Sequence, residues 1–174
     1  YPAMLQEKLR TAGYPVIVLN EGILGERTSS TYQRWLQEIT HAHIILIMIG
    51  INDLLNPRSC EIPYDCRTIE NIETMINEAV ISKKIPILST VTPAKSDGIR
   101  AWANSNIRKL NLQIESLAAQ YGIPLVDNYR AIRDSGGDLL YSDHVHFNDA
   151  GYEVIAQQWF DAIVNGKLIE ARPK

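Results

Sequence analysis

Four short runs of apolar residues, separated by amphipathic stretches, constrain this chain more than any other feature. They are PVIVLN (Pro15–Asn20), HIILIMIG (His43–Gly50), IPILSTV (Ile85–Val91) and IPLVD (Ile123–Asp127). Each is almost continuously apolar, the pattern of strands covered on both faces in a parallel sheet. Between the runs, apolar residues recur at three- and four-residue steps. One stripe is Tyr32, Trp35, Leu36 and Ile39, and a second is Ile69, Ile72, Ile76 and Ala79. A third is Ala103, Ile107, Leu110, Ile114, Leu117 and Tyr121, and a fourth is Tyr152, Ile155, Trp159 and Ile163. Each stripe predicts a helix with its apolar face inward. Gly13 and Gly122 stand where helix C-terminal caps belong. Buried strands joined by helix-containing crossovers imply an α/β three-layer sandwich. Residues 1–174 read as one domain, with no repeat or linker between its elements.

Composition narrows the function classes. A chain of 174 residues can bury one sizeable core, and 45% hydrophobic with 21% charged residues describes a globular protein. A net charge of −3 gives no electrostatic case for binding nucleic acid or an anionic membrane surface. No apolar run approaches the length of a membrane span. Cys60 and Cys66 lie in the polar stretch NPRSCEIPYDCRT, either as a small disulfide loop or as two free thiols. Pairing would favour an oxidising, extracytoplasmic compartment. Two thiols without a nearby histidine fall short of a four-ligand shell, so neither a metal nor a cofactor is expected.

In open parallel sheets, function collects at the carboxyl ends of the strands. The loop NEGILGERTSS follows the first run. Gly22 and Gly25 allow close backbone approach, and Thr28, Ser29 and Ser30 are positioned to cap the next helix. The spacing fits neither a dinucleotide fingerprint nor a P-loop. Such a loop serves either as a tight turn or as a backbone N–H donor to a developing oxyanion. The stretch GINDL, Gly50 to Leu54, follows the second run. Asn52 offers a neutral N–H2 donor to the cleft, and Asp53 can hold the loop by accepting backbone N–H groups. An Asx turn ending the strand is the plainer reading. In SDHVHFNDAG, Asp143 and His146 are separated by two residues just before the last helix. A carboxylate there can accept from His Nδ1–H and leave Nε2 as a general base. Asn148 or Asp149 caps that helix, with Gly151 in its first turn, and His144 reads as a surface or pocket-wall residue. His41 and His43 read as structural.

These stretches, in this order, resemble blocks two, three and five of the SGNH (GDSL-type) hydrolases. NEGILGERT, GIND and DHVHFNDAGY carry the resemblance, and IPILSTVTP and YGIPLVDNY resemble that family's spacers. It extends from Tyr1 to about Ile163. The resemblance implies a flavodoxin-like parallel sheet of order 2-1-3-4-5 and a serine esterase activity. Carried over by position, His146 is the general base and Asp143 its orienting partner. Gly25 and Asn52 are the oxyanion-hole donors, with Asp53 supporting the site. The implied partner is a small-molecule ester, and family substrates include acetylated sugars, lysophospholipids, thioesters and simple esters.

Two departures from the family pattern stand out. His144 occupies a position that is often glycine. The nucleophilic G-D-S serine has no counterpart: no G-D-S or G-x-S-x-G occurs, and Ser135 in RDSGGD sits in a loop context. The expectation is that the first strand and its serine lie upstream of Tyr1, and that lacking it leaves two strand edges unpaired. The alternative is a non-catalytic carbohydrate- or lipid-binding relative that has lost the nucleophile. Arg58 and Tyr64, in the long loop after GIND, are candidates for substrate contact.

Overall fold

The computed structural model describes residues 1–171, so the last three residues of the expected domain lie outside the described residues. Three parallel strands form the sheet: β1 (Ile44–Ile47), β2 (Ile85–Ser89) and β3 (Leu125–Val126), in that spatial order. Leu46 pairs with Ile87 and Leu88 with Leu125, so neighbouring strands end at one common edge. Among the described residues seven α-helices pack around them. They are α1 (Pro2–Thr11), α2 (Thr28–Glu38), α3 (Ile51–Leu55), α4 (Thr68–Ile81), α5 (Asn104–Tyr121), α6 (Asn128–Ser135) and α7 (Asp149–Asn165).

Strand alternation divides the core between two faces. Ile45, Ile47 and Leu88 join Trp35 of α2, Ile72 and Ile76 of α4, and Ile107 and Ile114 of α5. Ile87 and Val126 join Leu5 and Leu9 of α1, Ile132 of α6, and Ile155 and Trp159 of α7, with Ile44 and Leu46 packed alongside. Helices therefore cover both faces of the sheet, as the alternating pattern requires. The turn glycines behave as expected: Gly13 has φ +87° and Gly122 closes α5 at φ +61°.

Three expectations need correction. PVIVLN does not form a paired strand. Gln6 of α1 donates to Val16 O at 2.9 Å and accepts from Val18 N at 2.7 Å, replacing part of a strand ladder. Val16 and Val18 pack on the α1/α7 cluster, whereas Ile17 is 83% exposed. The segment has the apolar pattern of a buried strand, and no neighbour among the described residues completes its second face. In the stripe of α2, Trp35 is buried, as is Ile39 just past the helix end, but Tyr32 and Leu36 remain exposed. Finally, GINDL is not a strand-end loop but the short helix α3, entered through Gly50 at φ +117°. A Cβ at Gly50 would approach Leu110 to 3.1 Å and Thr68 to 3.3 Å, so conformation and space both demand glycine there.

Candidate active site

The sharpest geometry lies between α6 and α7. Tyr141 and Phe147 form an antiparallel bridge that pinches the intervening residues into a tight loop. Inside it, Asp143 Oδ1 accepts from the backbone N–H of Val145 and of His146, each at 2.8 Å. Its Oδ2 lies 2.6 Å from His146 Nδ1. The two backbone donors, more than the imidazole, hold the Asp143 carboxyl well below the usual carboxylate range. An ionised Oδ2 accepts from Nδ1–H, and in that tautomer of the neutral imidazole the lone pair is on Nε2. The His146 side chain is half exposed. Asn148 caps α7 by accepting from Gly151 N at 3.0 Å. His144 is partly buried and lies against Gly98, with its carbonyl accepting from Lys95 N at 3.0 Å.

The second group is built from the loops after residue 20 and after β1. Gly25 has φ +76° with open space around it, so its conformation rather than crowding calls for glycine. Asn52 donates from Nδ2 to Glu26 O at 3.0 Å, which ties α3 to the Gly25 turn. An amide carries two N–H donors, and this bond uses one of them.

Beneath that turn, Asp53 is 2% exposed. It accepts from Thr28 N at 3.2 Å, Thr28 Oγ1 at 2.5 Å and Thr68 Oγ1 at 3.1 Å. Burial pushes its carboxyl up, and the threonine bonds oppose that shift. Asn71 extends the network by donating to Thr28 Oγ1 and Cys66 O. The expected hydroxyl cap of α2 by Thr28, Ser29 or Ser30 is therefore absent: none of them caps the helix, and Asp53 takes the Thr28 N–H from a distant part of the chain. Thr28, fully buried, and Thr68, partly buried, were the missing signal, since each opens a helix and donates its hydroxyl to Asp53.

Cys60 and Cys66 are joined as a disulfide, and Arg27 donates to Ser59 O at 2.8 Å, fastening the disulfide loop to the start of α2. Arg58 donates to Tyr64 Oη at 2.6 Å, so the two candidate contact residues engage each other. The serines near these loops hold other positions in the fold. Ser142 Oγ lies 3.2 Å from the carbonyls of His146 and Phe147, Ser135 closes α6, and Ser29 and Ser30 sit in the first turn of α2. Among the described residues no hydroxyl hydrogen-bonds the His146 ring. Nor does a hydrogen bond join the Asp143–His146 pair to the Gly25–Asn52 group. No cluster of potential metal ligands occurs among the described residues.

The model of the GDSL-like lipase/acylhydrolase family matches residues 1–154. The chain belongs to this family. Its chemistry is thus that of an esterase or acylhydrolase acting on small-molecule esters. A lipase/acylhydrolase from Enterococcus faecalis is 25% identical, with 99% of this chain and 87% of that one covered at a TM-score of 0.82. A GDSL-like lipase from Bacteroides thetaiotaomicron is also 25% identical, covering 94% and 82% at a TM-score of 0.76. An acetylxylan esterase from Geobacillus stearothermophilus shares the fold at 22% identity, covering 94% and 80% with a TM-score of 0.77. That enzyme is known in two catalytic mutants, one replacing a histidine and one an aspartate three positions earlier. No curated protein matches the chain. No helix among the described residues is long and apolar enough to cross a membrane.

Proposed function

We propose that this chain carries the acid–base pair and the oxyanion hole of a serine esterase acting on small acyl or acetyl esters. The observation that carries the reading is the 2.6 Å contact of Asp143 with His146 Nδ1, made by a carboxylate already anchored through two backbone N–H groups. That anchoring is what an orienting partner needs, because the imidazole must not swing while its Nε2 changes protonation. The histidine–aspartate spacing of the acetylxylan esterase mutants supports the same assignment, since Asp143 and His146 are also three positions apart.

In this mechanism a serine hydroxyl attacks the ester carbonyl while His146 Nε2 takes its proton. The backbone N–H of Gly25 and the second amide proton of Asn52 receive the oxyanion. His146 then returns the proton to the leaving alcohol, and water repeats the cycle on the acyl-enzyme. The nucleophile belongs on a strand seated against the free edge of β1, facing the exposed side of residues 15–20. Both stretches have unpaired backbone there among the described residues. An acetylated sugar and a lysophospholipid are both within the substrate class. The Cys60–Cys66 bridge fits an extracytoplasmic setting.

Hydrolysis of p-nitrophenyl acetate by the full-length protein tests the assignment. His146→Ala should abolish it, with a loss on the order of 10⁴-fold or more. Undiminished turnover rejects the pair. A fluorophosphonate that fails to label the wild-type protein covalently would favour a binding relative without an activated serine.

A further inference from the structure

The segment after β2 does more than connect strand to helix. Two asparagines of α5 grip it by both backbone polar groups, as a neighbouring strand would. Asn111, 4% exposed, donates to Val91 O and accepts from Val91 N, at 2.9 and 2.8 Å. Asn104 does the same to Ala94 at 2.9 and 2.8 Å. Residues 91–94 are thereby fixed to the longest helix of the fold. The next residues reach across to the loop that holds Asp143 and His146. Pro93 O accepts from Tyr141 Oη at 2.5 Å, and Lys95 N donates to His144 O at 3.0 Å. Ser96 N donates to Asp138 Oδ1 at 2.8 Å, and Ser96 Oγ donates to Asp138 Oδ2. Gly98 completes the seam: a Cβ there would come within 2.9 Å of His144 Nδ1 and 3.2 Å of Lys95 O.

We infer that residues 91–98 are a brace that sets the position of the Asp143–His146 loop, with Asp138 and Ser96 as positioning residues for catalysis. This rests on the reading of Asp143 and His146 as the acid–base pair. Asp143 and His146 are each about half exposed, and the bonds within their own loop do not fix that loop relative to the sheet. The contacts at residues 138, 141 and 144 supply that reference from outside. Two of them precede the pair and the third lies between its members, and none is a hydrogen bond to either catalytic side chain. A misplacement of about 1 Å in such a loop is enough to cost roughly 10²-fold in rate.

The test uses the full-length protein with Asp138→Ala, Ser96→Ala and Ser96→Thr. Turnover of p-nitrophenyl acetate is measured, and the His146 Nδ1 proton is followed by NMR. The brace requires kcat to fall at least tenfold in Asp138→Ala with KM within about twofold. Ser96→Ala should fall less, and Ser96→Thr should restore the wild-type rate by restoring the hydroxyl. The Nδ1 proton signal should shift or broaden in the two alanine variants and not in Ser96→Thr. A kcat within twofold of wild type, or a rise in KM at constant kcat, overturns the proposal. The NMR signal separates the two ideas. If His146→Ala leaves turnover intact, the esterase assignment fails, yet the ring signal still reports whether Asp138 positions His146. Should Asp138→Ala not fold, Ser96→Ala carries the same readouts.

Discussion

Replacing Asp53 tests the physical account of how the Gly25 turn is held. Its side chain is 2% exposed and receives three hydrogen bonds, so Asp53→Ala strands three donors, the two from Thr28 buried and the one from Thr68 partly so. The Thr28 N–H cannot turn elsewhere, and losing its acceptor resembles losing an N-cap, about 1–2 kcal/mol. The two threonine hydroxyls can partly reorient, at about 1 kcal/mol each. The sum, about 3–4 kcal/mol, corresponds to a Tm decrease of roughly 6–16 °C for a chain of this size. Asp53→Asn is different. Its Oδ1 can take the Thr28 N–H while its Nδ2 faces Thr28 Oγ1 and Thr68 Oγ1, both of which can accept. The cost should stay near 1 kcal/mol. The two variants also differ in pH dependence. Burial raises the folded carboxyl above its unfolded value, so the group contributes most stability at acid pH and loses it as pH rises through the raised value. The Tm advantage of wild type over Asp53→Asn should therefore widen as pH falls through that raised value. Calorimetry on the full-length protein checks each figure. Equal Tm losses for Ala and Asn, or an advantage that narrows on acidification, would refute the hydrogen-bond reasoning.

Asp143→Asn should lower Tm only modestly, since the half-exposed Asn still accepts the two backbone bonds, while activity collapses on the order of 10⁴-fold. Asn Oδ1 must face the two backbone N–H groups, which turns Nδ2 toward His146 Nδ1 and forces the tautomer with a protonated Nε2. In the wild type, Asp143 stays ionised far into acid, so its contribution persists above the ordinary carboxylate pKa and is lost only as pH falls through its lowered value. An activity loss with an apparent pKa near 4 in the pH–rate profile would contradict that. Gly151→Ala gains helix propensity but drives a Cβ to 2.6 Å from Leu140 O and 2.8 Å from Phe147 Cβ. Overpacking should win, lowering Tm by about 4–8 °C for a net cost of about 2 kcal/mol; an unchanged or raised Tm would show that the loop yields. Removing the disulfide with Cys60→Ala and Cys66→Ala opens a short loop with a sequence separation of 6, for an expected cost of about 2 kcal/mol. Chemical denaturation measures it, and thiol titration of the unreduced wild type should find no reactive cysteine.

The parts of this molecule that were legible in its sequence share one property: they depend on residues close together in the chain. Helix stripes, the Asn148 cap and the Asp143–His146 pair are all set within one or two turns of local structure, and the sequence shows them directly. PVIVLN misleads because a strand is defined by its neighbour. Without a partner beside it, the same apolar pattern gives an extended segment held by Gln6 with Ile17 in solvent. The role of Asp53 was only half visible. Its acceptor function follows from its type and position, but that it caps α2 from 25 residues away requires the β1–α3 connection to run beneath the Gly25 turn. The seam between residues 91–98 and 138–144 is least legible of all. Serine, glycine and lysine in a loop carry no periodicity, and Asp138 lies 42 positions from the serine it binds. Both long-range ties converge on the loops whose side chains would do chemistry. Loops carry little burial of their own, so a site built on them needs outside references, and the polar side chains that supply these come from distant parts of the chain. Local pattern can therefore locate the reacting groups in such a fold, while their supports emerge only once the chain has folded.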